Sequence, residues 1–140
     1  FGKVNMYPHF NPRARNMILW FLKKHFGDPE GLVIPKEPAV IDLHEEEMKK
    51  LFRSWRYKED YKTLSAEVRN LGEAIPPLIN AYMNLSPTMR VFGTFINHHF
   101  GNVEETGIMI TLRDIYIEKI NRHLASYKKD FFIPWFTREH

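Results

Sequence analysis

The sequence predicts an α+β fold in which several helices pack on a small sheet that ends in an antiparallel β-hairpin. Three observations carry this prediction. Two alternating segments, Met89 to His98 and Thr106 to Leu112, flank His99-Phe100-Gly101-Asn102, where Gly and Asn supply the positive φ of a hairpin turn. Longer stretches repeat apolar residues at helical spacing. The 140 residues, 44% hydrophobic and 14% aromatic with 11 Phe, are one domain's worth and can bury a core of large rings.

The elements follow in order. Gly2 to Tyr7 reads as a short strand with Val4 and Met6 on one face, and Pro8 ends it. Asn11 caps a helix that has Pro12 at its first position. Met17, Ile18, Phe21, Leu22 and Phe26 share its inward face, and Leu19 and Trp20 widen that face, which implies burial on more than one side. Gly27 is expected to close this helix in a left-handed cap. Asp28 to Pro38, with three prolines, is a loop, and Ala39 to Leu43 a short extended piece. A second helix starts at Asp42 or His44 with its acidic residues first, and points Met48, Leu51, Phe52 and Trp55 inward. RYKEDYK reads as exposed. Lys62 to Leu71 forms the next helix, with Leu64, Val68 and Leu71 inward and Gly72 as its stop. Pro76-Pro77 opens another, which Ser86-Pro87 ends. A final helix runs from about Arg113 to Tyr127, and the aromatic tail 128–140 (Phe131, Phe132, Trp135, Phe136) is expected to dock on the body or on a neighbour. Phe1 stands inside a strand-like segment, which reads as a beginning cut from something longer.

Composition narrows the function. Zero cysteines exclude disulfides, thiolate zinc sites and thiol catalysis. No apolar run reaches the roughly 18 residues of a membrane span. A net charge of +3 with scattered basic residues gives no nucleic-acid footprint. No strongly basic amphipathic helix supports direct membrane lysis. His44-Glu45 begins like a zinc-protease HExxH motif, but Met48 stands in place of the second His, so no metal site is expected. His98 and His99, read as strand neighbours, point to opposite faces and cannot share an ion. Glu104-Glu105 reads as a hairpin shoulder. Phosphate-cradling glycine motifs and a GxSxG elbow are both missing.

Tyr82 has two readings: a phenol with one polar partner, or a general acid that protonates a leaving thiolate. Asn84, Ser86 and Arg90 stand at the following helix-to-strand joint, where they either cap backbone or face a cleft. There Arg90 is either an anion contact or an ordinary surface arginine, the commoner case.

At PPLINAYMNLSPTMR, FGTFIN and FGNVEETGIMIT the chain resembles the C-terminal part of the hemolysin-like branch of the GNAT acyltransferase superfamily. Members of that branch carry the hemolysin name or are N-acyltransferases that make the lyso form of ornithine or glycine lipids. Pro76, Pro77, Leu78 and Tyr82 match its PPL-x-x-x-Y helix, and Phe100 with Glu104, Glu105 and Thr106 matches its final turn and strand. FGKVNMYP and DPEGLV extend the likeness, so that it spans residues 1–127 and leaves out the tail. The resemblance implies a partial GNAT-like fold. Gly2 to Tyr7 would be the fifth strand, Pro76 to Leu85 the fourth helix, the hairpin the last two strands, and 11–74 a helical insertion. It further implies a fatty acyl group passing from a thioester carrier to an amine of a lipid precursor, with Tyr82 as the acid.

The donor-holding strand and helix of that fold have no counterpart here. The chain is therefore expected to bind no cofactor and to be inactive alone, whereas its parent uses acyl carrier protein or an acyl-CoA thioester. Its expected partners are a missing N-terminal half of the domain or a second copy of itself, besides the acyl donor and the amine acceptor. The expected location is cytoplasmic, with at most peripheral membrane contact. The alternative reading is a non-enzymatic helical protein-interaction domain, for which the wide face of Pro12–Phe26 and the tail would be the surface.

Overall fold

The structure is a computed structural model and describes residues 1–124. Its described elements run β1 (Gly2–Met6), α1 (Pro12–Phe26), α2 (Glu45–Leu51), α3 (Tyr57–Asn70), α4 (Pro77–Met83), β2 (Arg90–Asn97), β3 (Val103–Met109) and α5 (Ile117–Leu124), with a 3-10 turn at Leu112–Asp114 before α5. The protein is α+β, and its five described helices with an antiparallel three-stranded sheet are consistent with a partial GNAT-like fold.

The sheet order is β1-β3-β2, so the last strand of the hairpin lies in the middle. One rung joins Gly2, Ile108 and Val91, and another joins Val4, Thr106 and Thr94. Cross-strand partners share a face. Val4, Met6, Ile108, Thr106 and Val91 therefore form one buried face, which meets the core helices. The turn is set by local chemistry, since Gly101 and Asn102 take φ of 61° and 55°.

Asn11 caps α1 as its sequence indicates, its Oδ1 accepting from the N–H groups of Arg13 and Ala14. The broad face of α1 is real: Ala14, Met17, Ile18, Leu19, Phe21 and Leu22 are all buried. Phe21 lies among Phe52, Tyr57 and Tyr61. Each such buried side chain contributes about 1.5–3 kcal/mol. A buried ion cluster ties α1 to α3. Asp60 Oδ2 accepts from Lys24 Nζ at 2.7 Å and contacts His25 Nε2 at 2.8 Å, while Lys24 also donates to the carbonyls of Phe52 and Ser54.

Several expectations change. Gly27 has φ −56° and ψ 155°, not a left-handed cap, because the chain goes directly into a parallel bridge with Val91. Its lack of a side chain matters for space: a Cβ there would collide with the Lys23 carbonyl. The second helix is shorter than expected. It begins after His44, held in the left-handed region at φ 52° with its N–H donated to Asp42 Oδ1, and it stops at Leu51. Trp55 consequently lies outside the helix and is 97% exposed, although Met48 and Phe52 do face inward. RYKEDYK, read as exposed, is mostly the first part of α3, and only Asp60 within it is buried, while Tyr57 and Tyr61 are half-buried. Ala39 to Leu43 forms no strand, yet the Ala39 N–H bonds the Thr94 carbonyl at 2.8 Å. α4 ends at Met83, before Ser86-Pro87. His98 and His99 belong to the turn beyond β2, not to a strand. The aromatic tail lies outside the described residues.

Candidate functional site

The two edges of the sheet carry different features. β1 pairs on one side with β3 and has no strand partner on the other among the described residues. Tyr82, from α4, is packed at the start of this edge. Its hydroxyl occupies the space that a Cβ on Gly2 would fill, so Gly2 permits the close approach. The phenol forms no described hydrogen bond and is half-buried, whereas the neighbouring Asn80 accepts from the Tyr61 hydroxyl at 2.7 Å.

The other predicted residues do not converge on that phenol. Asn84 is exposed, and its amide donates to the Asn80 carbonyl at 2.9 Å, closing the end of α4. Ser86 is fully buried, and its hydroxyl accepts from the Thr88 N–H and contacts the Thr88 hydroxyl in a local turn. Thr88 in turn donates to Asp114 at 2.6 Å. Arg90 is directed to the other end of the rung. Its guanidinium meets Asp28 and Glu30, each at 3.2 Å, so its charge is spent within the protein. These two carboxylates raise its pKa against the opposing effect of burial.

One polar cluster was missed by the sequence reading. Glu105, taken as part of a hairpin shoulder, is 1% exposed in the central strand. Its Oε1 accepts from Lys3 Nζ of β1 at 2.8 Å and from Asn97 Nδ2 of β2 at 3.0 Å, so one carboxylate links all three strands. The Lys3 ammonium holds its pKa below the ordinary glutamate value, against burial, which acts to raise it. Glu104 points to the opposite face and pairs with Arg15 of α1 at 2.9 Å. The signal was a carboxylate facing Asn5 in the middle of the sheet, but it requires the β1–β3 register to be read.

The outer edge of β2 carries a cavity. The chain leaves α1 with Gly27 bridged to Val91 and returns with Ala39 bonded to Thr94, so both ends of the connecting loop are fastened to the strand. Between them Pro29, Pro35 and Pro38 lack the N–H needed to pair with a strand. The loop arches instead. Beneath it lies a cavity of about 440 Å³ lined by Leu19, Val33, Ile34, Ile41, Leu43 and Val91, among others, with Thr94 and Thr106 at its floor. The two threonine hydroxyls bond each other at 2.7 Å. Gly93 stands in the bulge of β2, and Pro35 fills the space a side chain there would take.

No group of three His, Asp or Glu side chains among the described residues is placed to hold a metal ion. None of the described helices is long and apolar enough to cross a membrane.

Comparison with known proteins gives the chemistry a direction. The chain is 56% identical over 127 residues to the glycine N(alpha)-acyltransferase of Bacteroides thetaiotaomicron. It is 53% identical over 129 residues to the glycine N(alpha)-acyltransferase of Phocaeicola vulgatus. Its similarity is to acyltransferases. These alignments take in 91% and 92% of this chain but 38% and 40% of the relatives, so the chain spans about two fifths of the length of the curated relatives it matches. No family model matches the chain, and no solved structure does.

Proposed function

We propose that this chain is the acceptor-side part of an N-acyltransferase of the hemolysin-like GNAT type, which moves a fatty acyl group from a thioester to the amine of glycine or of a related lipid precursor. The observation that carries the reading is the 53–56% identity to two glycine N(alpha)-acyltransferases over nearly the whole chain. In this reaction the amine attacks the thioester carbonyl, the C–S bond breaks as the amide C–N bond forms, and the thiolate leaves as a thiol. The nitrogen gives up one proton and the sulfur takes one. Tyr82 donates the proton to sulfur from its place beside β1, and the proton released by nitrogen returns through water to restore the phenol. Asn84 and Ser86 shape the joint that follows α4, and Arg90 fixes the start of β2.

The donor thioester, carried by acyl carrier protein or coenzyme A, occupies the side beyond the unpaired edge of β1. That side is completed by the N-terminal half of the domain or by a second copy, and the work is done in the cytoplasm or at the membrane surface. An unpaired strand edge is a ready template for another strand, which agrees with such a partner.

The test is thiol release from palmitoyl thioester in the presence of glycine. The 140-residue chain alone is expected to give none, and robust transfer by it would overturn the fragment reading. In a protein of the relatives' full length, Tyr82→Phe should lower turnover by about 10²-fold or more with donor binding kept. Unchanged turnover removes Tyr82 from the reaction, and absence of any acyl transfer by the full-length protein removes the reaction itself.

A further inference from the structure

The cavity at the outer edge of β2 has the character of a ligand site, and none of the roles above uses it. Its volume of about 440 Å³ lies within the roughly 300–1,000 Å³ of small-molecule sites. Aliphatic side chains dominate its wall, and the two threonine hydroxyls on its floor are bonded to each other. Asp28 and Arg90 are likewise engaged with each other. Lys23 also lines the cavity and pairs with Glu45 at 3.5 Å, so the cavity presents few free polar groups that would orient a polar ligand.

Its rim is unusual as well. Val33 and Ile34 line the cavity but are 43% and 75% exposed, and their neighbour Leu32 is 53% exposed. Three consecutive aliphatic side chains stand in solvent where the chain enters the cavity wall, and Val40 is exposed at the other end of the arch. Contiguous exposed apolar surface next to a cavity marks a site for an apolar partner.

We infer that the cavity under the Asp28–Pro38 arch binds the linear aliphatic chain of a fatty acyl group. The choice of ligand class rests on the acyl-transfer reading, while the site itself rests on the cavity and its rim. The site is separate from Tyr82, which packs over Gly2 at the far end of the Gly2–Ile108–Val91 rung. Two strand spacings, about 10 Å, separate those edges, and the buried Ile108 lies between them. The bound chain is therefore held away from the proposed proton donor, as a lipid tail or as the far end of an extended amphiphile. Its source is an acyl chain in solution or one belonging to a bilayer lipid.

The experiment is a binding titration of the 140-residue chain with the fluorescent fatty acid cis-parinarate, displaced by palmitate, beside co-sedimentation with phosphatidylcholine vesicles. Ala39→Phe places a ring in the cavity from a half-buried position, and should weaken parinarate binding about tenfold or more, or abolish vesicle binding. Val33→Asp puts a charge at the partly exposed wall and should act in the same direction, which guards against a fold defect in the first variant. Circular dichroism reports the fold of both. Displacement by palmitate assigns an acyl chain in solution. Vesicle binding that both variants abolish assigns a bilayer chain. Absence of both interactions overturns the inference, as does binding that neither variant weakens. No turnover enters these readouts, so a failure here leaves the acyl-transfer reading intact, and a chain that binds palmitate without any transferase activity separates the two in the other direction.

Discussion

The two edges of this small sheet meet opposite fates. At the β2 edge the protein uses its own loop as a cover, fastened at Gly27 and Ala39 and kept from pairing in between by prolines. At the β1 edge no strand is supplied among the described residues, and Tyr82 stands over its first rung. The difference teaches which edge the chain covers with its own loop and which has no strand beside it among the described residues. It also explains why the cavity is on one side and the proposed chemistry on the other. A cover that arches leaves space beneath it, whereas a bare edge offers backbone groups.

The comparison can be broken at the supports of each edge. The largest effect is expected from Asp60→Ala. This change strips the Lys24 ammonium and the His25 ring of their buried carboxylate and frees the end of α1 that delivers Gly27 to Val91. A loss of about 3 kcal/mol is expected, the low end for a buried pair that loses one member, because Lys24 keeps the carbonyls of Phe52 and Ser54. Urea unfolding measures it; a change below 1 kcal/mol would mean that the Asp60 cluster does not hold α1.

Glu105→Ala comes next. Lys3 loses its anchor and Asn97 its acceptor, so β1 keeps its backbone bonds and the burial of Val4 and Met6 but loses this side-chain tie. About 1–3 kcal/mol should be lost, with faster amide exchange in β1 than in the outer part of β2. Equal acceleration of both edges would show that the carboxylate does not discriminate between them.

Gly93→Ala tests the covered edge. The new Cβ lies 2.8 Å from Pro35 Cδ, so the arch must lift. Overpacking costs about 1–3 kcal/mol in a well-packed core, and the low end is expected here because the loop is exposed. The Ala39 N–H should then exchange faster while β1 amides stay unchanged, and unaltered exchange at Ala39 counts against the fastening.

The smallest effect is that of acid. Burial pushes Asp28 upward, but the Leu32 N–H, the Arg90 guanidinium and the Glu30 N–H outweigh it and hold its carboxyl below 3.8. Lys3 holds Glu105 below 4.5. Both groups are more acidic folded than unfolded, so their stabilisation is complete above about pH 4.5 and is lost as pH falls through the depressed native values. A thermal melting series should be flat in this respect above pH 5 and decline below 4. Glu105→Gln should flatten that decline; an unchanged slope would assign it to other carboxylates.

Much of this was legible locally. Asn11 with Pro12 marked the start of α1, Gly72 the stop of α3, and Gly101-Asn102 the hairpin turn, because caps and positive φ are properties of a few adjacent residues. Val4 and Met6 were placed inward by alternation alone. Trp55 was misplaced because helical periodicity was extended past the point where the chain leaves α2. Asp60 was read as exposed because its partners, Lys24 and His25, are 36 and 35 residues away.

The candidate site divides in the same way. Sequence by itself determined the α+β class, the hairpin and the PPL-x-x-x-Y helix that bears Tyr82, since periodicity, turn chemistry and motif are all carried by neighbouring residues. Only the tertiary structure decided that Tyr82 lies over Gly2, that Arg90 is neutralised by Asp28 and Glu30, that Glu105 binds three strands together, and that a proline-bearing loop roofs a cavity. The physical reason is that each of these depends on register and burial between distant segments, and those follow from which faces the folded chain brings together.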